Sequence, residues 1–389
     1  MNAFDYELPE NRIAHFPVSP RHNSKLLVYK SGYITHSNFK EITSFLPDNT
    51  LLVLNETRVV PARLHFTSDT GKVIEVFILN PADPTISAPI ALATTSDVAF
   101  TCLIGGRKSW KESRVLSMEL DSFTLKATWY NRDLNQVLFS WDNPELSFAE
   151  VLNEVGKIPL PPYINRDWEE SDVDNYQTVY SRLKGSVAAP TAGLHFTPEV
   201  FSDLKEKGFK TLFTTLHVGA GTFLPVKTDN ADEHTMHFEQ MVFQYDFIEN
   251  LLAHQGPIIP VGTTSCRLIE SIYWLGSILE QNCDAECLIQ QTDAYTQTPI
   301  SKEKALENVL KAMDKRGIKE WAGLTALYIK PGYTYRIASG IITNFHQPKS
   351  TLLLLVSALI GEDWTKVYAE AMENDYRFLS YGDSSLLLP

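Results

Sequence analysis

The sequence predicts an α/β protein whose main domain is interrupted by an antiparallel β insert. Three observations predict it. An apolar strand, Leu51 to Leu54, stands ahead of a block of short alternating segments that runs from about Ala62 to Trp141. A Pro-rich connector, Ile158-Pro159-Leu160-Pro161-Pro162-Tyr163, closes that block. Beyond it, strand-like runs alternate with helical ones, the rhythm of an α/β fold.

Within the block the segments are Lys72 to Leu79, Pro89 to Thr94, Phe100 to Ile104, Arg114 to Leu120, Phe123 to Tyr130 and Gln136 to Trp141. Pro81, Asp83-Pro84, Gly105-Gly106 and Asn131 punctuate them. Period-two alternation at such spacing reads as a small antiparallel barrel or sandwich. After the connector, a helix is expected from Thr197 as N-cap, with Pro198 in its first turn and Gly208 at its end. A strand from Lys210 to Val218, another from Pro257 to Val261, a helix from about Ser265, a strand from Gly340 to Thr343 and a helix after Pro348 follow. The main domain is expected over 1–61 and 155–389, the insert over 62–154, and a helical elaboration over about 276–326.

The chain has 389 residues and a net charge of −13, from 34 basic and 47 acidic residues. Such a balance rules against nonspecific coating of nucleic acid and leaves room for a local basic patch. The longest apolar run, Thr351 to Ile360, is too short to cross a bilayer and fits a buried helix. The first residues, MNAFDYELPENRIAHF, lack the basic patch and apolar core of a signal peptide, so a cytoplasmic protein without a membrane partner is expected. Four cysteines are too few for a disulfide framework and read as buried, reduced thiols.

Chemistry is concentrated where apolar strands stop at polar residues. Leu51 to Leu54 runs into Asn55, Thr57 and Arg58. The strand ending at Val218 flanks His217 and Gly219-Ala220-Gly221-Thr222. The next gives Gly262-Thr263-Thr264-Ser265 with Arg267 beyond, and Gly340 to Thr343 gives Asn344 and His346. Ligands of open α/β sheets bind beyond the carboxyl ends of strands, so these four loops are expected to share a crevice. Strand, glycine, hydroxyls and then helix at Gly262 to Arg267 is how an anion site is built, and equally how a plain helix start looks. Gly219-x-Gly221 resembles a nucleotide-binding glycine loop, but Leu224 stands where that fingerprint needs glycine. Glu233-His234-Thr235-Met236-His237 places two histidines three apart, half of a metal site or an acid–base pair, and it is not the H-E-x-x-H pattern.

Taken together, longer blocks are similar to one family. They are Tyr176 to Phe196 (YQTVYSRLKGSVAAPTAGLHF), Leu216 to Phe223 (LHVGAGTF), Glu233 to Glu239 (EHTMHFE), Gly262 to Ser271 (GTTSCRLIES), Asn344 to Ser357 (NFHQPKSTLLLLVS) and Tyr376 to Asp383 (YRFLSYGD). Phe4 to Pro9 and Leu52 to Leu64 belong with them. They resemble the S-adenosylmethionine:tRNA ribosyltransferase-isomerase family of queuosine biosynthesis. Departures are Phe100 to Lys111, Gln347 before Pro348, and a longer stretch at 276–326.

The resemblance implies a mixed-sheet α/β domain carrying an inserted antiparallel β-barrel. It implies transfer and isomerisation of the ribosyl part of S-adenosylmethionine onto 7-aminomethyl-7-deazaguanine at the wobble position in a tRNA anticodon loop. Epoxyqueuosine-tRNA, adenine and methionine are the products. S-adenosylmethionine is then a substrate, no cofactor or metal is implied, and a monomer is expected. A sulfonium acidifies its 5′ carbon, so a modest base starts the reaction, and a donor at the purine helps adenine leave. His217 and His195 are expected to move protons, with His237 and Asp383 behind them. Thr263, Thr264 and Arg267 are expected to hold the methionine carboxylate, Gly219 and Gly221 to admit the nucleoside, and His346 to complete that site. Arg58, Lys184 and Lys349 are candidate phosphate contacts, and Tyr381 a stacking platform. Three rivals remain: a paralogue acting on another RNA or base, a non-catalytic RNA binder on this scaffold, and a metal hydrolase using His195, His217, His234 and His237.

Overall fold

A computed structural model describes residues 1–389 apart from 69, 70, 84, 85, 87 and 220–230. Among the described residues, ten strands form one mixed sheet. Their order is Leu288–Ile289, Glu320–Thr325, Glu239–Gln244, Lys210–His217, Leu51–Asn55, Ile258–Val261, Ile341–Asn344, Ser384–Leu388, Lys25–Lys30 and Tyr33–Asn38. The centre is parallel: Lys210–His217, Leu51–Asn55, Ile258–Val261 and Ile341–Asn344 all run the same way. Their carboxyl ends therefore lie along one edge. Antiparallel neighbours flank them on both sides.

Leu51–Asn55 explains why this sheet reads as an unbroken apolar run. Leu51 and Val53 pack into the core that contains Cys266, Ile269 and Tyr273 of the helix Gly262–Gln281. Leu52 and Leu54 point the other way, into a core with Phe196, Val200 and Leu204. Both faces are covered, so alternation disappears, and each fully buried leucine contributes about 1.5–3 kcal/mol. The helices Pro198–Glu206, Gly262–Gln281 and Thr351–Ile360 stand where strand–helix alternation predicts them, although Gly262–Gln281 begins three residues before Ser265. Thr197 precedes its helix but makes no side-chain cap bond, and its hydroxyl meets His22 Nδ1 at 2.8 Å instead.

The second sheet is wholly antiparallel, with strand order Arg63–Thr67, Val73–Pro81, Val98–Gly105, Gln136–Trp141, Thr124–Asn131 and Leu116–Glu119. Its outermost strands, Arg63–Thr67 and Leu116–Glu119, come back into contact, so the sheet curls on itself. Trp110, fully buried, lies 4.3 Å centroid to centroid from Trp129. Phe148, on a helix Phe148–Val155 started by a Ser147/Glu150 capping box, packs on Phe100 and Phe139.

Three expectations need correction. Pro89 to Thr94 is no strand: Ala88–Ala93 is an α-helix that buries Ala88, Ala91 and Leu92. Spacings of three and four in an alanine-rich segment outweigh apparent alternation. The stretch 276–326 is only partly helical. Its helix Lys302–Arg316 packs on Gly262–Gln281, while Glu320–Thr325 joins the large sheet beside Glu239–Gln244. Three cysteines are buried, but Cys283 is exposed, with Lys315 Nζ 3.4 Å from its sulfur.

The chain enters and leaves the second sheet at one point. Arg63 and Lys157 exchange backbone hydrogen bonds of 3.2 and 2.9 Å. A Cβ added at Gly156 would overlap the carbonyl oxygen of Pro61. We expect Gly156→Ala to destabilise the protein by about 3 kcal/mol, because both segments are pinned and neither can move away. A chemical-denaturation midpoint equal to that of the parent would contradict this crossing.

Candidate active site

The four strand-end loops do not share one crevice: Gly262 to Thr264 and Thr343 to His346 line one cleft, His217 and Gly219 line a neighbouring one, and Asn55 and Thr57 stand behind the latter, bonded to Leu216 and His217. Asn55 is fully buried at the end of its strand. Its side-chain amide donates to Leu216 O at 2.9 Å, and its oxygen accepts from Leu216 N and Thr57 N, each at 3.1 Å. The carboxamide thus continues the ladder to Lys210–His217 after the backbone has turned away. Thr57 is left facing His217, whose Nδ1 lies 2.9 Å from the Thr57 hydroxyl. The Nε2 of His217 is buried without a hydrogen-bond partner. Gly185 packs on the same ring: a Cβ there would stand 2.7 Å from His217 Cε1. Glycine within a strand signals such close approach, and that signal in the KGS of Leu183–Ser186 was available.

Two clefts lie side by side along this edge. The first, about 820 Å³ with its open mouth, is lined by Ala188 to Ala192, Gly262, Thr263, Thr264, Thr343 to Gln347 and Ser380. The second, about 790 Å³, is lined by His217, Gly219, Gly185, Leu79 to Pro81, Phe238 and Gln240. Val218 is part of both walls.

In the first cleft Gly262, Thr263 and Thr264 open the helix Gly262–Gln281, so free N–H groups face an incoming anion. Thr264 Oγ1 has no partner. Thr263 and Thr264 both line this cleft. His346 lines the same cleft, its Nε2 2.9 Å from the Thr343 hydroxyl. The backbone carbonyl of His346 accepts from Tyr6 Oη, which pins this loop to the N-terminal segment. Gly219 borders the second cleft, and a Cβ there would meet nothing within 4 Å. Gly221 lies outside the described residues.

His195 sits behind the first cleft, in a recess of about 220 Å³ that shares Ser380 with it. Its Nδ1 is 2.8 Å from Ser24 Oγ and its Nε2 has no partner. Burial pushes the pKa of His195 and of His217 down to about 4, and that of His346 to about 3. All three imidazoles are therefore neutral near pH 7.

Other expected residues are occupied elsewhere. Arg267 is buried and ion-paired with Glu239, a partner that a free carboxylate would have to displace. Asp383 accepts from Lys25 N at 3.0 Å and Arg377 N at 2.7 Å and pairs with Arg377, so it ties strand ends together instead of moving protons. Tyr381 is buried with its hydroxyl on Asp172 at 3.2 Å, its ring unavailable for stacking. His237 is exposed beside His234, outside the lining of either cleft. Lys349 pairs with Asp5 at 2.8 Å. Arg58 and Lys184 are brought together, opposite one another in a parallel pair of strands, Thr57–Val59 and Leu183–Ser186. Among the described residues no three His, Cys, Asp or Glu side chains are grouped as a metal site, so the four histidines of the hydrolase reading are not assembled.

The neutral histidines make stability depend on pH. Unfolded, each binds a proton near pH 6.5; folded, none does until about pH 4 or below. The unfolded state holds more protons across that window, so this contribution is complete above about pH 6.5 and is lost as pH falls toward about 4. We expect denaturation midpoints to drop between about pH 7 and pH 5, and less steeply in His346→Gln. Equal slopes for variant and parent would rule out His346 as a source.

Comparison with known proteins finds relatives that match the whole chain. Residues 1–387 match the family described as queuosine biosynthesis protein. A relative from Halothermothrix orenii, named S-adenosylmethionine:tRNA ribosyltransferase-isomerase, is 37% identical over 395 residues, which takes in 100% of this chain and 99% of the relative. A crystal structure of S-adenosylmethionine tRNA ribosyltransferase from Thermotoga maritima is 26% identical and covers 99% of this chain and 100% of its own, with a TM-score of 0.48. Matched almost from end to end, this chain belongs to the queuosine biosynthesis protein family.

Proposed function

We propose that this protein is an S-adenosylmethionine:tRNA ribosyltransferase-isomerase. It moves and isomerises the ribosyl part of S-adenosylmethionine onto 7-aminomethyl-7-deazaguanine in a tRNA anticodon loop, with loss of adenine and methionine. The observation that carries this reading is likeness to the Halothermothrix orenii enzyme over 100% of the chain at 37% identity. The paralogue and binding-only readings have no such support, and the paired clefts suit two substrates.

In this reading the methionine carboxylate rests on the helix start at Thr263 and Thr264, where amide N–H groups and the unpartnered Thr264 hydroxyl take over its hydration. Neutral His217 accepts a proton from the 5′ carbon through Nε2, while Thr57 holds Nδ1. The sulfonium acidifies that carbon, so a weak base suffices. His346 and His195, also uncharged, border the cleft without repelling a cation. Arg58 and Lys184 offer a positive strip to the RNA backbone of a chain that is otherwise acidic.

Purified protein mixed with S-adenosylmethionine and tRNA bearing the deazaguanine is expected to release adenine, one per base modified, only when that tRNA is present. No adenine would end the proposal. His217→Ala should lower kcat by about 10²–10⁴-fold with folding intact. Thr264→Ala should raise KM for S-adenosylmethionine about tenfold and leave KM for tRNA alone.

A further inference from the structure

In the reading above only His217, at the inner end of the second cleft, acts on S-adenosylmethionine; the rest of that cleft is unassigned. One wall comes from the antiparallel sheet, through Leu79 and Pro81; another comes from Gln240 of the large sheet and from Phe238, just ahead of that strand. His217, 95% buried with its Nε2 unpartnered, forms its inner end. Phe238 and Ile86 border it with 43% and 40% of their surface exposed, so apolar faces are left uncovered at its mouth.

We propose that this cleft receives the acceptor base: the 7-aminomethyl-7-deazaguanine ring, turned out of the anticodon loop and stacked on Phe238. The inference rests on the function proposed above and adds where the second substrate binds. Its grounds are chemical. A planar heteroaromatic ring asks for apolar faces with polar groups at its edge, and Leu79, Pro81, Ile86 and Phe238 supply the faces while Gln240 supplies the edge. Nucleotides flanking an extruded base need cations close by. Lys184 is the chain neighbour of Gly185 in the cleft wall, and Arg58 lies opposite Lys184. Finally, Val218 is part of both walls, which places the two clefts side by side.

The test uses the full-length protein and an anticodon stem-loop RNA carrying the deazaguanine, with the guanine form as control. Dissociation constants are measured without S-adenosylmethionine, and S-adenosylmethionine binding is measured separately by equilibrium dialysis. Phe238→Ala is expected to weaken binding of the modified stem-loop about tenfold. Ile86→Trp, which crowds the mouth from an exposed position, should do the same. Both variants should bind S-adenosylmethionine as the parent does, and in turnover they should raise KM for tRNA with little change in kcat. Thr264→Ala should show the reverse pattern. The proposal is overturned if the parent does not distinguish the two stem-loops, if both cleft variants bind the modified one within twofold of the parent, or if they weaken S-adenosylmethionine instead. A parent that binds the modified stem-loop through this cleft but releases no adenine would remove the proposed reaction and leave the base site standing. Normal turnover with unaffected cleft variants would remove the base site alone.

Discussion

The carboxamide of Asn55 is the contact on which the site depends. Parallel strands end abruptly, and their last backbone groups lose their partners. At Asn55 the side chain replaces the missing strand: it satisfies Leu216 on both its N–H and C=O and catches Thr57 N on the way. Buried amides that lose such partners cost about 1–3 kcal/mol each, so the arrangement is strongly held. Its consequence is chemical. Thr57 is delivered to Nδ1 of His217, the ring is pressed between that hydroxyl and Gly185, and only Nε2 is left unbonded. A rotamer of the histidine is thereby chosen by a residue that touches no ligand.

Burial does the rest. An imidazole in water is partly protonated near neutrality; His195, His217 and His346 are not, because the protein offers no solvent to a charged ring. Asp383 pulls His195 the other way, and desolvation still wins. The fold gives up acid tolerance for this, since charging any of these buried rings costs stability. What it gains is a set of hydrogen-bonding groups that can lie beside a sulfonium without adding charge of the same sign. A protonated histidine at any of the three places would oppose binding of a cationic nucleoside.

Much of this was legible before any coordinates, and the pattern of success has a physical basis. Leu51 to Leu54, Gly262 to Ser265 and Ile341–Asn344 are short elements whose identity is set by local composition, and parallel packing with a shared carboxyl edge follows from strand–helix alternation. Side-chain commitments were not legible. Arg267 and Glu239 are 28 positions apart, Tyr381 and Asp172 are 209 apart, and nothing in either neighbourhood announces a partner. A loop arginine or tyrosine looks like a ligand contact until the fold supplies a buried carboxylate for it. Ala88–Ala93 failed for the opposite reason: its alanines satisfy two periods at once, and tertiary packing decided between them.

The joint between the two sheets carries the last step. Arg63 and Lys157 bridge each other where the chain enters and leaves the antiparallel sheet, and Ala88 N adds a bond to Gln240 Oε1 of the large sheet. Gln177 adds a further tie, exchanging hydrogen bonds with Val59 N at 3.1 Å and Val59 O at 2.8 Å. Leu79 and Pro81 of the antiparallel sheet line one cleft with Phe238 and Gln240. A cleft between two independently cored bodies is a natural place to grip a flat ring, because each body can present a rigid wall without giving up its own packing. The first cleft is built differently, from loops of one sheet around a helix start, and suits a ligand recognised by its charged end. Two constructions adjoin at Val218, and the proposed reaction would use them for separate recognition of a nucleoside and of a base on a large RNA.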